Sequence, residues 1–369
     1  VSVVRVGKVF EGEIATADYL DPNTRRRFTD GSYLTRYLPF VLTIPTGAST
    51  SKPLPVVIFG HAIATERRFV LAVANSLATQ GFASIAIDFP YHGSRTHCAW
   101  NGPLCWPDPI NKNGQMLCPS QCTSGSTCGA DGKCRDKSGN LTVLPKWPII
   151  PFPQASGAAF IDLQSLPGTR EHFLQAVIDL GALSRSIQKG DWKKAVGYTL
   201  QKDKLYYVGQ SLGGIIGATY TALDPAMDRV VLNVPGGNVV PMFQSSTYFG
   251  EHIKAYFKRE SITVGTAKHQ KFLHLAKWFV DGIDPLNVAR YLSKGPLPGQ
   301  GTTNTRQVLV QMATLDFIIP NTFTKQLATV AGVKRKDYLA EHAFLVIPVE
   351  PAYLPGGRDA ADFLAGKLK

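Results

Sequence analysis

The sequence is poor in charge and has no long apolar run. Asp, Glu, Lys and Arg make up 18% of its 369 residues, against roughly 25% in an average domain. With 44% apolar residues to fill a core, a disordered polyelectrolyte and a coiled coil are both excluded. No apolar stretch approaches the roughly 18 residues of a membrane span, so a soluble globular protein is expected. Acidic residues are the scarcer sign, 27 against 39 basic, for a formal net charge of +12. No Met and no basic-then-apolar leader stands at Val1, the pattern expected of a mature or trimmed polypeptide.

Cysteine is absent outside residues 98–134, which hold Cys98, Cys105, Cys118, Cys122, Cys128 and Cys134. The spacings contain no CxxC, and only His92 and His97 lie near, so a metal site is the weaker reading. An even number of cysteines in a stretch rich in Gly, Pro, Ser and Asn points to disulfides stapling a loop that has no core of its own. The pairing stays open. The loop reads as a rigid surface segment, with a lid or docking module as the functional alternative. Either reading requires an oxidising compartment, hence a secreted protein, extracellular or periplasmic.

The positive charge is dispersed. Its densest runs, Arg25-Arg26-Arg27 and Lys334-Arg335-Lys336, are three residues long, and the remainder lacks the aromatic interleaving of a single-strand nucleic-acid groove. Nucleic acid is therefore not an expected partner. A solvated basic face is favoured, with attraction to an anionic lipid or polymer surface as the sharper alternative.

Along the chain, residues 1–45 alternate apolar and polar stretches with turn signals and predict antiparallel edge strands ending in Tyr37–Ile44. From residue 55, short apolar runs (Pro55–Phe59, Ala83–Ile87, Leu205–Val208, Val230–Val234, Gln307–Met312) alternate with helical patterns around 68–80, 169–188 and up to Leu223. That rhythm predicts an α/β fold with a mostly parallel central sheet covered by helices on both faces. Thr169 is the expected N-cap of the long helix. Two stretches break the rhythm: the cysteine-rich loop at 96–150, and a helical segment at 241–303 read as a cap or lid. Residues 1–369 are otherwise expected to form a single domain.

The sharpest local signal is Gly209-Gln210-Ser211-Leu212-Gly213-Gly214, placed where a strand runs into a helix. A serine hydroxyl attacks carbonyls only when it is exposed, held in place and next to a base. A tight strand-to-helix turn with flanking glycines supplies the exposure and the hold. A nucleophile at Ser211 calls for an acid and then a histidine further along the chain. Asp316 follows the strand Gln307–Met312, and His342 is the only histidine beyond it. Asp281 and Asp284 are rivals for the acid, ranked lower because they fall in the helical insertion. Glu341 is expected to face solvent.

Two backbone N–H donors are needed for the oxyanion. They are assigned to Leu212 and, in the turn Gly60-His61-Ala62-Ile63, to Ile63, with Ala62 as its rival. His61, and Asp88 with Tyr91-His92-Gly93-Ser94, read as structural groups at the rim. Phe89, Phe243 and Phe249 are candidate pocket walls. No cofactor and no metal is expected.

The segments Val56–Ile63, Ile87–Arg95 and Val208–Gly214 resemble the α/β-hydrolase superfamily, and within it the bacterial extracellular lipases of the virulence-factor type. Further likenesses are Phe160–Leu163 with Thr169-Arg170-Glu171, Val234–Gly237, Asp284–Asn287 and Leu315–Asn321. The resemblance spans much of 55–95 and 157–321 but neither the cysteine-rich segment nor residues 1–45. It implies the α/β-hydrolase fold and a secreted serine hydrolase of carboxylic esters, with Ser211, Asp316 and His342 as its triad. Two positions depart from the pattern: Ala62 replaces a customary Gly, and Gln210 a common His. The chain is also shorter than many of these lipases, so their accessory domains are expected to be missing. A polyester depolymerase with the same triad is the nearest alternative. A non-catalytic surface-binding protein using the cysteine-rich loop is the alternative from another class.

Overall fold

In the computed structural model, residues 5–21, 24, 26–98, 105–107, 127–128, 134–135, 137, 156–157, 159–295, 297–299 and 306–368 are described. Most of the predicted cysteine-rich loop, including Cys118 and Cys122, lies outside them, as do the side chains of the other four cysteines. Residues 296 and 300–303 of the predicted insertion lie outside as well.

Eight strands form the central sheet: β1 (Val6–Asp18), β2 (Leu34–Pro45), β3 (Leu54–Gly60), β4 (Ala83–Ile87), β5 (Leu200–Gln210), β6 (Met227–Asn233), β7 (Gln307–Ala313) and β8 (Lys334–Tyr338). Their spatial order is β1-β2-β4-β3-β5-β6-β7-β8. The six strands from β4 to β8 are mutually parallel, while β2 joins β4, and β1 joins β2, antiparallel. β3, β4 and β6 are apolar runs with little alternation, as strands covered on both faces must be. β1 instead alternates, since only one of its faces is covered.

Helices α1 (Val70–Ala78) and α8 (Tyr353–Leu364) pack together on one face. Helices α2 (Leu166–Lys189) and α3 (Leu212–Leu223) cover the other. The buried side chains separate into two apolar layers accordingly. Val57, Phe59, Val208, Val231 and Phe344 lie toward α1 and α8. Val56, Ile58, Tyr207, Val230 and Val310 lie toward α2 and α3. Between β6 and β7 the chain adds α4 (Val239–Ser245), α5 (Thr247–Arg259) and α6 (Ala267–Val280), and after β7 comes α7 (Asn321–Ala331).

The long helix begins three residues before the expected cap. Ser165 caps it by accepting from the Gly168 N–H at 3.3 Å, with Pro in the first turn. Thr169 is thus inside the helix. Its hydroxyl donates back to the Asp162 carbonyl (3.0 Å) and accepts from the Asp162 N–H (2.8 Å), which ties down the preceding loop. Lys334-Arg335-Lys336, expected as loose surface charge, is part of β8. A charged, largely exposed edge strand discourages pairing with another sheet.

The strand order changes direction between β3 and β5: from β3 the chain goes to β4 on one side and then to β5 on the other. A parallel sheet opens a crevice at the C-terminal ends of two such strands. Gly60 ends β3 and Gln210 ends β5, and the two strands pair in register up to Gly60–Gly209.

Candidate functional site

Ser211 occupies this crevice as the single residue between β5 and α3. Its backbone has φ 56° and ψ −114°, a conformation costly for a residue with a Cβ and one that persists only when its surroundings hold it. Three close approaches do the holding. A Cβ on Gly209 would stand 2.2 Å from the Gly213 carbonyl oxygen, and one on Gly213 would stand 2.0 Å from that of Gly60. The turn after β3, the end of β5 and the start of α3 therefore touch through their main chains. The Tyr207 hydroxyl donates to the Gly213 carbonyl at 2.7 Å from beneath the helix, and the Ser211 N–H donates to the main-chain carbonyl of Asn233 at 2.9 Å.

The other two residues arrive on the loops after β7 and β8. His342 Nε2 lies 2.7 Å from Ser211 Oγ, and its Nδ1 lies 2.7 Å from Asp316 Oδ2. Asp316 Oδ1 accepts from the N–H groups of Ile318 (3.0 Å) and Ile319 (2.8 Å). The two loops are strapped by main-chain bonds, Thr314 N–H to Tyr338 (2.8 Å) and Leu315 N–H to Ala340 (3.0 Å). Ser211 is 3% exposed and His342 5%, so their contact is shielded from bulk water. Chemically, a hydroxyl bonded to an imidazole that is held by a carboxylate can lose its proton as it attacks an electrophile.

Asp281 and Asp284 take no part in this line. Asp284 caps the short helix Pro285–Val288 by accepting from the Leu286 N–H, and its two oxygens also accept from the N–H groups of Asn238 and Val239. Asp281 lies in the turn that precedes it. Glu341 is exposed.

On the other side of Ser211, Leu212 opens α3, and its N–H belongs to the first turn, which has no intrahelical acceptor. Ile63 lies in the 62–65 turn, closed by the Thr65 N–H on the Ala62 carbonyl at 3.3 Å. His61 is fully buried behind this turn. One ring nitrogen bonds the Ala62 carbonyl (2.8 Å) and the other accepts from the Phe89 N–H (3.0 Å). Burial pushes its pKa down to about 4, so it is neutral near pH 7, and with both ring nitrogens bonded inside the fold it has no free lone pair to offer a substrate. His92 is also buried, bonds the Pro90 carbonyl at 2.8 Å, and is likewise held well below the ordinary histidine value by burial. Asp88 accepts from the Arg67 side chain (2.5 Å), the Arg67 N–H (2.7 Å) and Ser94 (2.8 Å), fastening the turn after β4.

Phe89, a candidate wall, is instead core: it is completely buried, with its ring centroid 4.3 Å from that of His61. Phe243 and Phe249 are half-buried and pair at 4.8 Å where α4 meets α5. Sequence reasoning passed over Tyr207, Asn233 and Gln311. The signal for the two amides was visible: each closes or interrupts an otherwise apolar parallel strand.

No family model and no curated protein matches the sequence. Solved structures do match. The acylaminoacyl peptidase of Pyrococcus horikoshii superposes with a TM-score of 0.53 at 11% identity, over 99% of this chain and 42% of that one. An esterase of Pyrococcus furiosus gives 0.49 at 10% identity, over 98% of this chain and 91% of that one. Acetyl xylan esterase 1 of a Thermoanaerobacterium species gives 0.46 at 14%, over 92% and 84%. The eight-stranded, mostly parallel sheet, its helical layers and the strand-to-helix turn at Ser211 make this an α/β-hydrolase fold.

Proposed function

We propose that the protein is a serine hydrolase of carboxylic esters. The observation that carries this reading is the unbroken line Ser211–His342–Asp316, with both contacts at 2.7 Å. His342 takes the Ser211 proton as Oγ attacks the ester carbonyl, and Asp316 stabilises the imidazolium that forms. The oxyanion rests on the N–H groups of Leu212 and Ile63, with Ala62 as the rival for the second position. His342 then returns its proton to the departing alcohol. Water, activated by the same histidine, releases the acid and restores Ser211. None of these steps calls for a metal or an organic cofactor.

The finer reading is a lipase-like enzyme acting at surfaces, in line with the motif likeness to the bacterial extracellular lipases. It is supported by large apolar side chains exposed on the strapped triad loops: Leu315 (53%) and Phe317 (50%), which flank Asp316, and Leu339 (77%), next to Ala340, whose carbonyl accepts from the Leu315 N–H. Apolar surface gathered around a reactive centre favours an apolar, aggregated or polymeric ester over a small hydrophilic one. The excess of basic residues, several of them on α5 and α6, would draw such a surface in when it is anionic. A polyester depolymerase is the second reading that the same rim favours. The even set of six cysteines supports export to an oxidising compartment.

Turnover of p-nitrophenyl butyrate by the protein and by Ser211→Ala tests the core of the proposal. Loss of turnover to background in the variant is expected. Equal rates would sink the triad and leave the surface-binding reading standing. A chain-length series of esters, run beside an insoluble polyester film, separates esterase, lipase and depolymerase. Adsorption to anionic vesicles at low and high salt tests the surface; a salt-insensitive result reduces the charge to solubility alone.

A further inference from the structure

Three carboxamides stand in one row beneath the candidate site. Gln210, Asn233 and Gln311 close or nearly close β5, β6 and β7, and the sheet register pairs Gln210 with Asn233 and Asn233 with Gln311. Paired residues of a parallel ladder project to the same face, here the face of Val208, Val231 and Leu309 in the layer of α1 and α8. All three are buried, with exposures of 1%, 0% and 0%. Two of them are used within the frame. Asn233 donates to Gln311 at 3.0 Å, and Gln311 donates to the Tyr338 hydroxyl at 3.0 Å and the Gly356 carbonyl at 2.9 Å.

Gln210 is different. Its Nε2 leaves the row and donates to the main-chain carbonyl of His342 at 3.3 Å, while its Oε1, like Asn233 Oδ1, has no hydrogen-bond partner among the described residues. A buried amide with one atom unsatisfied is a poor choice for stability: a methionine of similar length would fill that apolar layer and remove the unsatisfied oxygen, which offsets the weak bond it gives up to the His342 carbonyl. What the amide supplies and methionine cannot is a grip on the residue that carries the imidazole.

We propose that Gln210 is a positioning residue: from the position before the nucleophile it anchors the main chain of His342, setting the distance between the imidazole and Ser211 Oγ. The proposal rests on the serine-hydrolase reading above. One strand end then fixes both partners of the proton transfer, Ser211 through the backbone and His342 through the neighbouring side chain. His342 sits on an irregular loop, where a shift of about 1 Å at a reacting group can cost as much as a hundredfold in rate. Losing the anchor would also loosen the imidazole from Asp316, and weaker contact with a carboxylate makes the imidazolium less stable.

Gln210→Met is the test, with Gln210→Leu as a second variant should the first not fold. The readouts are melting temperature, kcat and KM on p-nitrophenyl butyrate, and the pH profile of kcat/KM, with active molecules counted by a covalent serine titrant. The expected result is an unchanged or higher melting temperature, kcat lower by about tenfold per active molecule, KM within about twofold, and an ascending pH limb moved toward acid. A kcat within about twofold of the parent with an unmoved limb overturns the proposal, as does a lowered melting temperature with normal kcat per active molecule. Ser211→Ala run alongside keeps the two ideas apart. If it retains turnover, the hydrolase reading has failed. If it is inactive while Gln210→Met behaves like the parent, only the positioning role has failed.

Discussion

Asp316 reaches His342 with only one of its two carboxylate oxygens. Oδ2 lies 2.7 Å from Nδ1, while Oδ1 accepts from the N–H groups of Ile318 and Ile319. The orienting task and the loop-closing task therefore belong to different atoms. In Asp316→Asn the retained oxygen can keep the loop bonds while the new NH2 faces the imidazole and imposes the wrong tautomer. We expect kcat to fall by about 10³–10⁴-fold, with a melting temperature within about 2 °C of the parent. Steady-state kinetics with a thermal melt checks both halves. A cooperative loss of structure would show instead that the loop depends on the charge.

The glycines make a second prediction by contrast. A Cβ on Gly213 would stand 2.0 Å from the Gly60 carbonyl oxygen, main chain against main chain, with no flexible side chain to yield. Gly181, in the middle of α2, has nothing within 4 Å of the same added atom. Gly213→Ala is expected to destabilise by more than about 3 kcal/mol and to abolish hydrolysis, since the crevice must open to admit it. Gly181→Ala is expected to stabilise by about 0.5–1 kcal/mol through helix propensity and leave kinetics unchanged. Urea titrations of the two variants measure the difference in sign.

Five of the six parallel strands were legible because each contains a short apolar run, most of them closed by Gly, Pro or Asp, and the turn at Ser211 because strain and close packing demand glycine at fixed offsets. Ser211, Asp316 and His342 were picked out by chain order and stand in contact. Three things escaped. β8 is charged and mostly exposed, so no apolar pattern marks it; its existence follows from the neighbouring strand. Phe89 looked like a wall because it follows a strand end near the site, but only packing shows that it points behind His61. The onset of α2 was misplaced because Thr169 has the right chemistry for a cap, and nothing local says that its hydroxyl serves the loop at Asp162.

Beside the crevice a buried ionic cluster joins the β1–β2 edge to α2. Arg95 contacts Asp179 at 2.6 Å and the Asp88 carbonyl at 3.1 Å, and Asp179 also accepts from Thr16 and Gln175. Burial raises the Asp179 carboxyl above its ordinary range, with Arg95 opposing that rise. Removing the cation alone strands a charge in the interior, so Arg95→Met is expected to cost about 3–5 kcal/mol. Combining it with Asp179→Leu should recover at least half of that loss, because the desolvated charge leaves with its partner. A double-mutant cycle in urea decides; simple additivity of the two losses would show that the pair is not coupled.

His61 ties stability to pH. Its folded pKa of about 4 lies below the ordinary 6.5 because the ring is wholly buried. Between those two values the unfolded chain binds a proton that the folded chain refuses, so stability must fall as pH drops through this window. The contribution is fully retained above about pH 6.5 and shrinks by up to about 1.4 kcal/mol per pH unit below it, or about 3 kcal/mol by pH 4. His92, lowered by the same burial, acts in the same direction. The carboxyls of Asp179 and Glu66, raised by burial, act with the opposite sign, so a difference curve is needed to isolate the imidazole. His61→Asn can keep the bond to the Ala62 carbonyl but leaves the Phe89 N–H without its acceptor, which should cost about 1–3 kcal/mol at pH 7. Since asparagine does not titrate, that deficit should shrink as pH is lowered and vanish or reverse near pH 4. Chemical denaturation of both proteins at half-unit steps from pH 7 to 4 measures the gap, and a gap that stays constant would mean that His61 carries its proton equally in the folded and unfolded chain.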